Sequence, residues 1–203
     1  MVREVTGPVL VLGSTQPAQV IDETARRRRD VSLARRRSGG GAVWLEPGAQ
    51  LWLDAWIPRD DPLWHADVSV AAEWVGRWWV DALTGAGQSG FDVHTGRAAP
   101  GRWGELVCFG GRGPGEVFVG ARKVVGLSQW RAREGALFSS CAYRRWDPAP
   151  LLALVRSDDP SHDMLTRDLP SVAVGLAELD PAVDDLGLLR ERLLETFERF
   201  GVG

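Results

Sequence analysis

Residues 67–83 (DVSVAAEWVGRWWVDAL) return an apolar side chain at every third or fourth position. Val70, Ala71, Trp74, Val75, Trp78, Trp79 and Leu83 then share one face, and Asp67 stands where a helix cap is needed, so the spacing predicts an amphipathic helix. A helix with so broad an apolar face must bury it against other elements, and the flanking segments read as strands. Leu51, Leu53 and Ala55 alternate with Trp52, Asp54 and Trp56, which is the period of a half-buried strand. Pro8–Gly13 is a short apolar run ending at glycine and predicts a buried strand.

Further along, Leu106–Phe109 and Val117–Val119 read as two strands joined by the turn-rich Gly110–Gly115. Val124–Leu127 and Gly135–Tyr143 add two more. Short helices are expected over Gln19–Arg29 and from Leu151 to Val155. A last helix is expected from Asp180-Pro181, with proline at its first position and Leu186, Leu189, Leu193, Phe197 and Phe200 toward the core. Strands punctuated by helices predict an α+β fold, a mixed β-sheet flanked by helices. No repeat, linker or boundary divides the chain, so residues 1–203 are expected to form a single domain.

Composition excludes several classes. A chain of this length buries roughly 70% of its unfolded surface, so it needs no disulfide framework, and it has only Cys108 and Cys141. That usage, with no apolar run long enough to span a bilayer and no leader-like N-terminus, points to a reducing, cytoplasmic compartment and no membrane. The histidines His65, His94 and His162 are scattered, so no metal site is expected. Arg26–Arg29 and Arg35–Arg37 place seven arginines in twelve residues, yet no nucleic-acid motif accompanies them. The basic run fits a solvated loop or a dock for an acidic partner. The ten tryptophans fit a core better than a cofactor stack.

One asymmetry bears on chemistry. Of 24 basic residues, only Lys123 is a lysine; asparagine is absent and isoleucine occurs twice. A GC-rich genome explains the arginines. A lysine that persists against that bias is either a leftover or a position where a compact ammonium does what a guanidinium cannot. Lys123 lies in Arg122-Lys123-Val124-Val125-Gly126-Leu127-Ser128-Gln129. Its ammonium could hold an acyl carbonyl or phosphate oxygen as charge develops. Upstream, Arg35-Arg36-Arg37-Ser38-Gly39-Gly40-Gly41-Ala42-Val43 lets the backbone approach a ligand closely, and its amides could form an anion nest. It lacks the spacing of a Walker or dinucleotide-binding loop.

Together these segments resemble the lipoate–protein ligase family, which includes related octanoyltransferases of the biotin/lipoyl protein ligase superfamily. The first match comprises Arg35, Arg36, Ser38, Gly39, Gly40, Gly41, Ala42 and Val43. The second comprises Arg122, Lys123, Gly126, Ser128 and Gln129, followed by Gly135, Ala136 and Leu137. The resemblance implies a biotin/lipoyl protein ligase-like catalytic domain, akin to class II tRNA synthetases. It implies transfer of a lipoyl or octanoyl group to a lysine of a lipoyl carrier domain, such as that of a 2-oxoacid dehydrogenase or glycine cleavage complex. Lys123 would hold the acyl and phosphate oxygens, and Arg36, Ser38 and the glycines would line the acyl-adenylate pocket. ATP and Mg would serve a ligase.

The chain departs from the family where a His-Asp pair and a Gly-Asn usually follow the glycines; here Leu45-Glu46-Pro47-Gly48-Ala49 stands. The His-Gly that follows Gly-Ala-Leu is replaced near Ser140-Cys141. Residues 157–203 are too few for the accessory domain that ligases of the family carry or recruit. Cys108-Phe109, fifteen residues before Lys123, matches the nucleophile pair of some octanoyltransferases, and Glu116 also falls on a matching position. Through that route, octanoyl would pass from acyl carrier protein to Cys108 and on to the target lysine without ATP or any cofactor. Cys108 reads equally as a buried strand cysteine. A third reading is a member of the family that binds lipoate, a nucleotide or a carrier domain without chemistry.

Overall fold

A computed structural model describes residues 1–85, 87, 89–156, 161–179 and 185–200. The elements run β1 (Val2–Arg3), β2 (Val9–Leu12), α1 (Glu23–Arg28), β3 (Ser32–Arg35), β4 (Val43–Leu45), β5 (Gln50–Pro58), α2 (Val68–Thr84) and β6 (Phe91–Val93). They continue with β7 (Val117–Val119), β8 (Arg122–Arg131), β9 (Gly135–Tyr143), α3 (Ala149–Leu152), α4 (His162–Val172), α5 (Leu176–Leu179) and α6 (Leu186–Phe200). A six-stranded antiparallel sheet has the order β1-β5-β9-β8-β7-β6. A small mixed sheet, β3-β2-β4, pairs β2 parallel with β3 and antiparallel with β4. Among the described residues no helix is long and apolar enough to cross a membrane.

The helix expected over 67–83 is α2, and its start is capped as expected: the Asp67 carboxylate accepts from the amides of Ser69 and Val70 at 2.7 and 3.2 Å. Two of its three tryptophans are anchors as well as core, while the buried Trp74 Nε1 has no hydrogen-bond partner among the described residues. Trp79 Nε1 donates to Ser140 Oγ on β9 at 2.9 Å, and Trp78 Nε1 donates to the Leu193 carbonyl on α6 at 2.8 Å. Trp78 and Trp79 thereby satisfy their one polar atom while pinning α2 between sheet and α6. Val70, expected on the buried face, is exposed. On α6, Leu189 and Leu193 are buried and Leu186 and Phe197 pack against the core. The expected start at Asp180-Pro181 and the Phe200 side chain lie outside the described residues. A second apolar cluster fills the space behind the small sheet, where Leu10 and Leu12 meet Leu151, Leu154, Leu165 and Leu169.

The largest correction concerns Leu106–Phe109. It is not a strand and makes no hairpin with β7, whose neighbours are β6 and β8. Val107 makes one isolated bridge to Ala42, and residues 108–110 form a single 3-10 turn. Burial of Val107 and Phe109 satisfies the apolar run without a sheet. The helix expected over Gln19–Arg29 is confined to a 3-10 turn at Ala18–Val20 and α1, while α4 and β6 were not anticipated.

Candidate active site

β3 leads directly into residues 36–41, and β8 carries Lys123 through Gln129 past them. Ser38 Oγ donates to Ser128 Oγ at 2.9 Å, joining side chains 90 residues apart in sequence. The two motifs that sequence reasoning paired are therefore in direct contact.

Close backbone approach shapes the loop. Gly40 has φ 93°, in the left-handed region. A Cβ on Gly41 would fall 2.5 Å from the Val107 amide nitrogen. Without one, Gly41 N–H donates to the Gly104 carbonyl at 3.1 Å, Ala42 N–H to Leu106 at 2.8 Å, and Cys108 N–H to Ala42 at 3.0 Å. Arg36 clasps the loop from inside: Nη2 donates to the carbonyls of Gly39 and Gly41 at 2.7 and 2.8 Å. Among the described residues, the amides of Gly39 and Gly40 donate to no backbone carbonyl.

A cleft of about 340 Å³ opens against this loop, with Gly39, Gly40, Cys108, Glu116, Lys123 and Ser128 in its wall, and Gln129 beside them. Lys123 reaches it from β8 while only 1% exposed. Its ammonium donates to Glu116 Oε1 and to the Cys108 carbonyl, both at 2.8 Å, and lies 2.7 Å from Glu116 Oε2. Glu116 also accepts from the amides of Gly113 (2.6 Å) and Leu127 (3.2 Å). Burial pushes its carboxyl upward, opposed by the Lys123 ammonium and these two amides. Burial likewise pushes the Cys108 thiol up, with Lys123 and Arg36 pulling the other way. The buried Cys141 thiol is pushed up by burial first and by the neighbouring Cys108 second.

A larger cleft, about 860 Å³, lies between the sheets beyond Ser38, with Arg36, Trp52, Asp54, Trp130 and Ser139 in its walls. Asp54 accepts from Arg3 Nε at 2.6 Å, Ser139 Oγ at 2.7 Å and Trp52 Nε1 at 3.0 Å. A narrow gap shares Cys108 and Ser128 with the first cleft and Arg36, Trp52 and Ser139 with the second.

Not every residue of the sequence motifs enters the first cleft. Arg36 braces the loop and faces the larger cleft. Arg122 is exposed and Gly126 packs under the Phe109 ring. Gly135 and Ala136 pair with Pro58 and Ile57 at the end of the β8–β9 hairpin opposite Lys123. Leu45 is buried on β4 beside the larger cleft, while Glu46 and Ala49 line neither. Sequence reasoning noted Glu116 only as a matching position and missed Asp54. The signal for both was an acid set within an apolar strand or directly before one.

The fold is that of lipoate protein ligases. A bipartite lipoate protein ligase from Thermoplasma acidophilum, described with its E2 lipoyl domain, superposes with a TM-score of 0.69 at 16% identity, over 95% of this chain and 67% of that one. Lipoate-protein ligase A bound with ATP gives 0.69 at 19%, over 95% and 68%. LipL1 of P. falciparum in complex with lipoate gives 0.68 at 13%, over 96% and 47%. No curated protein sequence matches the chain. Residues 4–198 match the lipoyl protein ligase A/B catalytic domain, and the chain belongs to that family.

Proposed function

We propose that the chain is a lipoate–protein ligase-like acyltransferase, attaching a lipoyl or octanoyl group to a lysine of a lipoyl carrier domain by way of an acyl-adenylate. The observation that carries this reading is the convergence of the two motifs: Ser38 and Ser128 are 2.9 Å apart, and the glycine loop and Lys123 line one cleft. Residues 1–203 would act as a single catalytic domain.

Each side chain has a task set by its position. The Gly39 and Gly40 amides, without backbone partners among the described residues, are donors for the oxygens of an acyl phosphate or a carbonyl. The Lys123 ammonium, held in a dry wall, stabilises negative charge as an acceptor amine attacks the acyl carbon. ATP, when bound, supplies the activation of the acyl carboxylate; Gly39, Gly40 and Arg112 would hold its phosphates, and the Lys123 ammonium, its hydrogens committed to Glu116 and the Cys108 carbonyl, would act on them through its charge from the same wall. Glu116 is the only carboxylate in the wall among the described residues, and both its oxygens face donors. Any magnesium would therefore rely on the phosphates themselves.

The basic run divides into parts. Arg26 and Arg27 pair with Glu23, and Arg35 donates to the carbonyls of Gly13, Ser14 and Gln16. Arg28, Arg29 and Arg37 are exposed and carry no ion pair among the described residues, so they supply the surface that would dock an acidic carrier domain.

A second reading follows from Cys108, which lines the same cleft while its carbonyl accepts from Lys123. There, octanoyl carrier protein would acylate the Cys108 sulfur, releasing the carrier's thiol, and the target lysine would then displace it. Purified protein incubated with an apo lipoyl domain separates these readings. Transfer from lipoate or octanoate that requires ATP supports the ligase route. Transfer from octanoyl carrier protein without ATP, with an octanoyl mass gain on Cys108 that is lost in Cys108→Ala, supports the thioester route. Binding of lipoate, nucleotide or carrier without transfer leaves the non-catalytic role.

A further inference from the structure

We infer that Glu116 is the positioning residue of this site: it fixes the Lys123 ammonium in the cleft wall and, through it, the segment that carries Cys108. The inference deepens the functional reading above and rests on it for its kinetic consequence.

Lys123 and Glu116 are 1% and 2% exposed. A buried charge persists only where it is paired and its hydrogen-bonding capacity is met. Both conditions hold. Oε1 of Glu116 takes the ammonium and the Leu127 amide; Oε2 lies 2.7 Å from the same ammonium and takes the Gly113 amide. The partners come from the loop before β7, from β8 backbone and from a β8 side chain, so the carboxylate has one orientation. Charge-assisted bonds to two backbone amides make it a rigid acceptor.

The ammonium then acts as a junction. Its remaining reach goes to the Cys108 carbonyl at 2.8 Å, and the Cys108 amide donates in turn to Ala42, next to the glycine loop. A continuous set of bonds therefore runs from Glu116 through Lys123 and Cys108 to Ala42. The Phe109 and Phe118 rings stand 5.5 and 5.8 Å from the ammonium and shield it from water. Three acceptors (two carboxylate oxygens and one carbonyl) surround a single nitrogen. A tetrahedral ammonium has three hydrogens to meet them; a planar guanidinium spreads its donors over a fork and cannot. This accounts for a lysine in a chain that otherwise uses arginine throughout.

The lone lysine also makes the test direct. Full-length protein labelled with 15N-lysine carries one labelled side-chain ammonium. In the wild type its hydrogens are bonded and buried, so one slowly exchanging ammonium correlation is expected. In Glu116→Gln that correlation should vanish into solvent exchange, and alkylation of Cys108, followed by mass spectrometry, should accelerate. In the acyl-transfer assay the kcat of Glu116→Gln should fall roughly 10- to 100-fold, with KM for the acceptor domain nearly unchanged. Glu116→Asp, which keeps the charge but withdraws it by one methylene, should shift the correlation and recover part of kcat. The assignment is overturned if the wild type shows no protected ammonium, or if Glu116→Gln keeps the wild-type correlation and alkylation rate. If Glu116→Gln does not fold, an Asp variant with both readouts unchanged overturns it equally. An inactive wild type sinks the functional reading alone, because the resonance and alkylation measurements need no substrate.

Discussion

Three successive glycines of one motif should respond very differently to the same substitution. A methyl group on Gly41 would lie 2.5 Å from Val107 N, 2.6 Å from Leu106 C and 2.7 Å from Val107 C. All three are backbone atoms, so no side chain can swing aside. Relief requires separating the loop from residues 104–108, which disrupts the Gly41–Gly104, Ala42–Leu106 and Cys108–Ala42 hydrogen bonds. At about 1 kcal/mol net for each bond, Gly41→Ala should cost about 3 kcal/mol. For a chain of this size that corresponds to a Tm lower by roughly 6–12 °C. Gly40→Ala keeps open space except for Arg36 Nη2 at 3.0 Å, but must hold φ 93°; about 1–2 kcal/mol is expected. Gly39→Ala meets nothing within 4 Å and should stay within about 0.5 kcal/mol of wild type. Thermal and urea unfolding followed by tryptophan fluorescence read all three. If Gly41→Ala melts alongside Gly39→Ala, the close approach of loop and Cys108 segment is wrong, and with it the geometry assigned to the cleft.

Other expectations follow from the same contacts. Lys123→Ala should abolish acyl transfer and also destabilise the fold by about 3–5 kcal/mol, because Glu116 remains buried without its partner. Burial already raises the Glu116 carboxyl, and a raised carboxyl gives stability at low pH that is lost as pH rises through the raised value, so Lys123→Ala should melt higher at about pH 5 than at about pH 8. Since burial also raises the Cys108 thiol, its alkylation should be slow at neutral pH and increase as pH climbs beyond the ordinary thiol range, while Cys141 reacts only on unfolding; fast modification of Cys108 at neutral pH would contradict this. Tyr143 donates to the Trp44 carbonyl at 2.6 Å in the core, so Tyr143→Phe should cost about 1–3 kcal/mol in urea unfolding. A double-mutant cycle of Ser38→Ala and Ser128→Ala should return a coupling of about 1 kcal/mol, and additivity would mean that their hydrogen bond does not join the motifs.

How much of this was legible depended on the length of the periodic signal. The α2 period runs for 17 residues and is unmistakable, as are the long strands β5 and β9. Short apolar runs carry less. Leu106–Phe109 looks like a strand because burial alone requires apolar residues, and four of them do not say whether a ladder or a turn does the burying. α4 was obscured by Pro170 and its polar face, although Leu165 and Leu169 stand at helical spacing and both are buried. β6 has three residues flanked by glycine-rich sequence and takes its place only because β7 offers an edge.

The site shows a different limit. Composition marked Lys123 as exceptional, and the spacing of the two motifs marked its neighbourhood, but neither could show what a lysine is for. Its identity is set by three acceptors brought from residues 108 and 116 to one point in space, and those contacts span a 3-10 turn, a loop and a strand. Glu116 belongs to the same arithmetic: a carboxylate before an apolar strand is a liability unless a cation and backbone amides meet it there. Leu45, Glu46 and Ala49 line none of that junction. Substitutions at Leu45, Glu46 or Ala49 are therefore expected to leave the Glu116–Lys123–Cys108 set in place.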